Sequence, residues 1–499
     1  MTGTFVDDIL AHAARTPEAV AIVTDDGVLR YGELADRIHR LAAHLRTRGV
    51  GPEQVCAIAV ERGVDAVVAM AAVLRAGGAF LSLDVDLPTP RLAAQLTSGG
   101  ARHLLTSSRL AQNLRLLLPL PAILLDVLPE PDGLPFPAPE PRALAYVSHT
   151  SGSTGAPNAV LIEHRGLHAY LRCLVRDFEL GPDTVVLQLA PLGYDASLRD
   201  TFAPLAAGGR LVLVDRAKLM RADAFAETVA THGVNTVLST TPSFLTFLAQ
   251  APGAAERLRG IRLLASSGES LRPFLAAGGR SLLGGRLVNQ YGPTECTMTS
   301  TRYDVPADPD TGTDPVGTPI DSARVRLLDQ ELRPVADGAV GEVHISGIGV
   351  GRGYGGQPAR TADRFVPDPC GPPGARMYRT GDLARRWTDG TLEYLGRADR
   401  QVKIRGYRID PAEVEGALLG HPEVTGAVVT AETDDRGRVW LHAHITGPPG
   451  ATGDAQLRAH LAATLPPYML PRRFTRLTSL PVTHSGKADR RALALEAAR

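Results

Sequence analysis

"SHTSGSTGAPN", residues 148–158, brings five hydroxyl groups, an imidazole and two glycines together in eleven positions and contains no lysine. Hydroxyls and backbone N–H groups set side by side suit an anion with several oxygens, of which phosphate is the commonest. The familiar ATP-binding loop closes on Gly-Lys-Ser or Gly-Lys-Thr, so this is a phosphate loop of another kind. Directly before it, "ALAYVSH" (143–149) reads as the strand that delivers it. Around this pair, helix and strand patterns alternate. In "YGELADRIHRLAAHLRTRGV" Leu34, Ile38, Leu41 and Leu45 recur at helical spacing up to Gly49. "VCAIAV" (55–60) reads as a buried strand, "AVVAMAAVLRAGG" (66–78) as a helix closed by glycines, and "AFLSLDV" (79–85) as the next strand. "VVLQLA", "GRLVLV" and "NTVLST" continue the series. Strands alternating with helices predict βαβ units and an α/β fold of parallel sheets flanked by helices.

A chain of 499 residues is too long for one ordinary core and implies two to four domains or subdomains. Lys plus Arg equals Asp plus Glu at 53 each, a balance that argues against a nucleic-acid-binding face. Cys56, Cys173, Cys296 and Cys370 lie far apart with no CxxC pair, which speaks against a zinc site or disulfide framework and fits a reducing cytoplasm. The N-terminus lacks a basic start followed by an apolar run. The most apolar stretch, "LLLPLPAILLDVL" (116–128), is broken by two prolines and an aspartate and is too short to span a bilayer. The expectation is a soluble cytoplasmic protein with no membrane contact.

The proline-rich "PEPDGLPFPAPEP" (129–141) reads as a linker or surface loop. From about residue 396 the character changes. "GRADRQVKIRGYRID" is rich in charge, "PAEVEGALLG" is helical, two strand-like segments flank "TDDRGR", a helix follows near 454–464, and the chain closes on "HSGKADRRALALEAAR". This is a compact α+β unit of ordinary domain size. The expected division is a large region over 1–396 and a small C-terminal unit over 397–499.

Six segments recur in a telling order: "LRAGGAFLSLD" (74–84), "NQYGPTECT" (289–297), "GEVHISGIGVGRGY" (341–354), "YRTGDL" (378–383), "GRADRQVKIRGYRI" (396–409) and "HSGKADRR" (484–491). With the opening loop they resemble the ordered core motifs of adenylate-forming enzymes, above all the amino-acid-activating adenylation domains of nonribosomal peptide synthetases. The resemblance runs from about residue 28 to residue 491. It implies joining of a carboxylate to the α-phosphate of ATP with loss of pyrophosphate, a reaction governed by positioning and charge neutralisation. ATP and Mg²⁺ are the implied cofactors. Thr150, Ser151, Gly152, Ser153, Thr154 and Gly155 would wrap the β- and γ-phosphates. Tyr291 would stack on adenine, Asn289 bond its amino edge, Thr294 touch the α-phosphate, and Glu295 hold Mg²⁺. Asp382 would accept from the ribose hydroxyls, with Tyr394 and Arg397 beside the sugar. Lys487 would reach between the carboxylate and the α-phosphate and stabilise charge that develops in the transition state. Asp399 matches the hinge about which the small domain swings, withdrawing Lys487 and presenting Lys403 and Gly406 to an incoming thiol.

The implied partners are a small-molecule amino acid, a separate phosphopantetheinyl carrier protein and an MbtH-like protein. "GGRSLLGG" (278–285) looks like a carrier's phosphopantetheine-serine motif but falls inside the large region, and nothing follows residue 499, so a free-standing or excised adenylation enzyme is expected. The family's substrate-pocket positions fall on Asp195, Ala196, Arg199, Ser243, Ala265, Ser267, Gln290, Met298 and Thr299. Asp195 would pair with the substrate's α-ammonium, and Arg199 suits an acidic or strongly polar side chain; with Arg199 turned outward or paired with Asp200, a small neutral amino acid would fit instead. Two departures stand out: Pro157-Asn158-Ala159 replaces the usual Pro-Lys-Gly, and Ser485 stands where asparagine is common. The first implies weaker handling of pyrophosphate. An acyl- or aryl-CoA ligase is the alternative within the superfamily, and a non-catalytic nucleotide sensor the alternative outside it.

Overall fold

A computed structural model describes residues 4–114, 120–127, 136, 139–152, 157–253, 256, 258–434, 438–448, 452–481, 489–490 and 492–493. Two sheets dominate the first four hundred residues. One has seven strands, in the spatial order Gly353–Tyr354, Asn158–Glu163, Leu144–Thr150, Ala79–Ser82, Val55–Ala59, Ala101–Thr106 and Ala122–Leu124. The ladders from Leu144–Thr150 outward to Ala122–Leu124 are parallel. The other has fourteen strands. Its parallel part comprises Val20–Thr24, Arg210–Val212, Val185–Leu187, Thr236–Thr240, Leu263–Ser267 and Arg286–Tyr291. Beyond Arg286–Tyr291 it continues antiparallel through Thr301–Val305, Pro315–Pro319, Leu392–Arg397, Arg376–Arg386, Val340–Gly347 and Ala323–Leu328. The α/β architecture expected from the alternating patterns is present, and the sheet is mixed because hairpins replace helical crossovers after residue 301.

The helices Phe5–Arg15, Tyr31–Thr47, Val64–Arg75, His164–Asp177 and Ala196–Ala206 pack into one cluster of buried side chains, while Ala222–His232 and Pro242–Ala249 belong to a second and Thr89–Ser98 to a third. The helix Val64–Arg75 is the centre of the first. Every residue from Ala66 to Leu74 is buried, which explains why "AVVAMAAVL" shows no polar face: a helix covered on all sides has no use for one. The amphipathic helix Tyr31–Thr47 buries Leu34, Ile38, Leu41 and Leu45, as its spacing predicts, and the Tyr31 hydroxyl donates to the carbonyls of Leu205 and Gly209. Gly279–Leu282, within the carrier-like "GGRSLLGG", is a single turn of 3₁₀ helix leading into the strand Arg286–Tyr291, with Gly279 packed against the Phe274 ring. Only Gly279 and Leu283 of that stretch are buried, and it is a surface connection within the large region.

Residues beyond 400 build their own sheets: the hairpin Val402–Ile404/Tyr407–Ile409 and a three-stranded sheet of Gly426–Thr433, Val439–Thr446 and Arg473–Arg476. The helices Pro411–Leu419 and Asp454–Ala462 close a separate apolar core on it, from Ile404 to Phe474. The proline-rich segment lies largely outside the described residues. Among the described residues no helix is long and apolar enough to cross a membrane.

Gly317 marks the irregular register between Pro315–Pro319 and Leu392–Arg397. Its φ of +78° is a left-handed conformation, and a Cβ there would sit 1.7 Å from the Arg302 carbonyl oxygen. Gly317→Ala is expected to destabilise the protein by at least about 2 kcal/mol, read as a lowered midpoint in thermal or urea unfolding; an unchanged midpoint would contradict the bulge geometry.

Candidate functional site

Parallel strands aim their carboxyl ends the same way, and in open α/β sheets that edge is where ligands bind. Here Thr236–Thr240, Leu263–Ser267 and Arg286–Tyr291 end side by side, and Leu144–Thr150 of the second sheet ends at the phosphate loop. The small unit's hairpin lies across this edge. The Gly406 amide donates to Glu269 Oε1 at 3.0 Å, while Glu269 Oε2 accepts from the Ser243 amide. Gly406 has φ +80°, and a Cβ on it would meet Thr241 Cγ2 at 2.6 Å, so only glycine lets the hairpin seat this closely.

The residues expected around adenine and ribose are brought together. The Tyr291 hydroxyl donates to Asp382 Oδ2 at 2.6 Å, and the Tyr394 hydroxyl reaches Asp382 Oδ1 at 3.5 Å. Arg397 Nη1 donates to Asp382 Oδ1 at 2.6 Å, and the same guanidinium grips Asp399 through Nε and Nη2. Arg397 thus joins the Asp382 carboxylate to that of Asp399. Burial raises the Asp399 carboxyl, but Arg397 more than offsets this and holds it below the usual range. Asn289 is buried and donates Nδ2 to the Pro315 carbonyl at 2.9 Å. The Lys403 ammonium lies 4.8 Å from the Tyr394 ring centre and 5.4 Å from that of Tyr291. Burial pushes its pKa down.

Glu295 is buried, and Arg408 of the hairpin approaches both its oxygens, at 3.4 and 3.3 Å. The Tyr354 hydroxyl donates to Glu295 Oε1 at 2.7 Å. Burial pushes the Glu295 carboxyl up, yet the Arg408 charge and the tyrosine hydroxyls prevail and keep it below the usual range. A buried carboxylate held ionised by a cation is a suitable ligand for Mg²⁺, which prefers hard oxygen donors; the donor set fits that metal. Thr294 precedes it at the cleft wall. In the phosphate loop, the Ser151 hydroxyl donates to the Arg408 carbonyl at 2.6 Å and accepts from the Asp410 amide at 3.1 Å. The Gly152 amide donates to Glu413 Oε2 at 3.1 Å. Asn158, where the resemblance leads one to expect lysine, is buried and donates Nδ2 to the Ser151 carbonyl at 2.8 Å. It braces the loop's backbone from behind. Thr150 ends the delivering strand; Ser153, Thr154 and Gly155 lie outside the described residues, as do Ser485 and Lys487.

The helix Ala196–Ala206 carries Ala196 and Arg199, two of the residues expected at the substrate. Asp195 precedes it, with Oδ2 shut off from solvent and without a hydrogen-bond partner. Burial raises the Asp195 carboxyl to about 6. Arg199 is buried and is held by three hydroxyls: Nε donates to Ser239 Oγ at 2.7 Å, Nη2 to Ser267 Oγ at 2.7 Å and Nη1 to Thr299 Oγ1 at 3.3 Å. It does not turn outward, and no ion pair to it occurs among the described residues. Asp200 Oδ2 instead accepts from the backbone of Leu189 and Ala190. Gln290, Met298, Ala265 and Thr299 are buried nearby, while Ala196, Ser243 and Ser267 border the cleft. Thr297 and Met298 both have positive φ, 58° and 72°, a strained pair of the kind found at binding sites.

Several residues here escaped sequence reading. Arg408 stood inside a quoted motif without a role, Glu413 was read only as part of a helix, and Arg91 and Ser239 carried no local signal. Elsewhere, Glu432, His442 and His444 bring potential metal-ligating atoms within 4.8 Å of one another on the small sheet. Their imidazoles already bond Glu432, Thr475 and Thr430, so hydrogen bonding accounts for the cluster.

Comparison with known proteins places this geometry. Residues 9–355 match the model for the AMP-binding enzyme family, and residues 413–487 match that for the AMP-binding enzyme C-terminal domain. Phosphinothricin tripeptide synthetase PhsB of Streptomyces viridochromogenes is 43% identical over 97% of this chain and 41% of its own length. A dimodular nonribosomal peptide synthase of Bacillus subtilis is 36% identical over 97% of this chain and 20% of its own length. The chain thus spans less than half the length of either relative. Among solved structures, an artificially fused adenylation-PCP di-domain from Klebsiella oxytoca superposes with a TM-score of 0.85 at 26% identity, covering 96% of this chain and 95% of that one. The chain therefore belongs to the AMP-binding enzyme family and is an ATP-dependent, AMP-forming ligase related to the adenylation units of nonribosomal peptide synthetases.

Proposed function

We propose that the chain activates an α-amino acid and passes it to the phosphopantetheine thiol of a separate carrier protein. In the first step a substrate carboxylate oxygen attacks the α-phosphorus of ATP, the bond to the β-phosphate oxygen breaks, and pyrophosphate leaves. In the second a thiolate attacks the acyl carbon, and AMP leaves with the mixed-anhydride oxygen; the thiol proton goes to solvent. Mg²⁺ on Glu295 would neutralise phosphate charge. The assignment of residues 1–396 as the core and 397–499 as a lid hinged at Asp399 belongs to the same proposal. So do the roles of Tyr291, Asn289, Asp382, Tyr394 and Arg397 around the nucleoside and of Thr294 at the α-phosphate. The hairpin's position across the cleft supports the thiol-transfer arrangement, in which Lys487 is withdrawn. The adenylation-PCP fold neighbour supports a carrier partner. A cytoplasmic location, where ATP is at hand, and an MbtH-like accessory protein complete the proposal, the latter tested by co-expression.

The observation that carries the amino-acid reading over a CoA ligase or a nucleotide sensor is Asp195, whose Oδ2 has no partner and awaits a cation. An α-ammonium supplies it. The carboxyl must be ionised to pair, and burial has raised its pKa to about 6. The charged form is present above that value and lost below it. Thus kcat/KM for the amino acid should fall about tenfold per unit as pH drops below 6, measured by amino-acid-dependent pyrophosphate exchange. Asp195→Asn should abolish that limb along with most activity; a flat profile down to pH 5 would remove Asp195 from the role.

Arg199, buried without a carboxylate, supports an acidic or strongly polar side chain such as glutamate, aspartate or aminoadipate. Its three hydrogen-bond partners are neutral hydroxyls, and although its charge is felt at the Asp195 and Asp200 carboxylates it forms an ion pair with neither, which leaves its donors free to exchange a hydroxyl for a substrate carboxylate. Arg199→Ala should lower exchange with the acidic substrate by about a hundredfold or more. Strong wild-type exchange with alanine, valine or threonine and none with acidic amino acids would overturn the choice of substrate.

The two lysines should separate the half-reactions. Lys487→Ala should cut adenylate formation by about 10²–10³ while ATP binding persists, because its charge serves the transition state. Lys403→Ala should spare exchange and slow loading of the carrier. If exchange stays at the wild-type rate in Lys487→Ala, the lysine is not the residue that meets the α-phosphate.

A further inference from the structure

Glu413 stands where an anion would be expected. One of its oxygens accepts from the Gly152 amide of the phosphate loop at 3.1 Å, and the other pairs with Arg91 Nη1 at 2.7 Å. Both side chains of the pair are buried, Glu413 almost completely. The carboxylate therefore bridges a backbone donor of the phosphate loop and a guanidinium, an arrangement that two phosphate oxygens would satisfy equally well. Arg408 stands correspondingly where a cation would be expected, on the Glu295 carboxylate. The two groups belong to one short stretch of the small unit and enter the cleft together, with the Asp410 amide on Ser151 between them. The loop itself has asparagine in place of its usual lysine, and Asn158 faces the loop's own backbone.

We propose that Arg91 and the Gly152 amide form a pyrophosphate subsite in which Arg91 supplies the positive charge missing at Asn158. In the docked arrangement seen here, Glu413 and Arg408 occupy the phosphate and metal positions of that subsite. Magnesium pyrophosphate and the docked hairpin are then mutually exclusive: the small unit seats only after pyrophosphate has left, and pyrophosphate returns only after Glu413 has withdrawn. Arg91 passes from one anion to the other, so neither state leaves its buried charge alone. This rests on the adenylation reading above and adds to it a binding residue and an order of events.

The test titrates magnesium pyrophosphate alone, without ATP, into wild type, Glu413→Gln and Glu413→Gln/Arg91→Met by calorimetry. A docked state populated with equilibrium constant K weakens the apparent affinity by the factor 1 + K. Glu413→Gln should therefore bind pyrophosphate more tightly, by about tenfold for K near 10. Adding Arg91→Met in that background, where competition is already removed, should weaken it by about tenfold or more, the loss of one charge-assisted contact. Opposite signs from the two partners of one ion pair are not what a merely structural pair would show. As a check that needs no substitution, saturating magnesium pyrophosphate should speed hydrogen exchange of the Gly406 and Asp410 amides in wild type, since both donate across the cleft. The proposal is overturned if Glu413→Gln leaves pyrophosphate affinity unchanged or weaker, if Arg91→Met has no effect in its background, or if those amides stay equally protected. If neither ATP nor pyrophosphate binds any of the proteins, the adenylation reading falls as well; binding with a flat cycle sinks only the present inference.

Discussion

A buried charge needs an opposite charge beside it, and the cleft of this protein is arranged around that requirement. Glu295 and Arg91 come from the large region, and the side chains that answer them, Arg408 and Glu413, come from the small unit; Asp382 is answered inside the large sheet by Arg397. These pairs hold the small unit against the large one together with the contact of Tyr194 with Tyr407 and Tyr468. An interface of this kind has a property that an oily one lacks. Its charges can be handed to a charged ligand, so that leaving one partner need not leave a bare ion behind. That suits a surface that must both form and part in each catalytic cycle, and it makes ligand charge, not shape alone, the variable that sets the small unit's position.

The proposed amino-acid pocket meets the rule only in part. Asp195 Oδ2 has no hydrogen-bond partner and Arg199 is bonded to hydroxyls alone, although the two charges are felt by each other. Both groups lie on one helical turn, at its beginning and four residues on, so a small zwitterion with a second acid group could meet them together. The strained backbone at Thr297 and Met298 directly precedes Thr299, one of the hydroxyls that hold Arg199. Thr297 is tied by its hydroxyl to the Gly349 carbonyl at 2.6 Å, which shows where the cost of that strain is offset.

Much of this was legible in the sequence, and the illegible part has a common cause. The alternation of helix and strand up to residue 291 is local and repetitive, and helices such as Tyr31–Thr47 follow their apolar spacing closely. The nucleotide-binding and pocket positions stand in ordered motifs, and the structure gathers those it describes at one sheet edge. What sequence reading missed are groups whose partners lie far along the chain. Arg91 and Glu413 are separated by 322 positions, and Arg408 and Glu295 by 113; no periodicity or spacing rule spans such distances. Arg397 does meet Asp382, beside which it is expected, and its further bonds to Asp399, the Thr380 carbonyl and Gln401 are ones that no motif announces. The antiparallel half of the large sheet was missed for a different reason. Its strands are short, and their hairpins carry weaker signals than a crossover helix.

The central helix Val64–Arg75 also bears on how the chain is made. It packs on the helices Phe5–Arg15 and Tyr31–Thr47 and on the strands Val55–Ala59 and Ala79–Ser82, in a buried cluster that also takes in the helix Ala196–Ala206. The strand Val20–Thr24 pairs with Arg210–Val212, and Tyr31 waits for the carbonyls of Leu205 and Gly209. At ribosomal speeds of about 5–20 residues per second, the helix meets Tyr31–Thr47 and the strands Val55–Ala59 and Ala79–Ser82 early, but the strand Val20–Thr24 and the Tyr31 hydroxyl stay without these later partners for many seconds. The last hundred residues have no such delay, because their partners are close in sequence. The large region can therefore close its fourteen-stranded sheet on Val20–Thr24 only after residue 212 has been made, whereas the small unit needs no segment so far away.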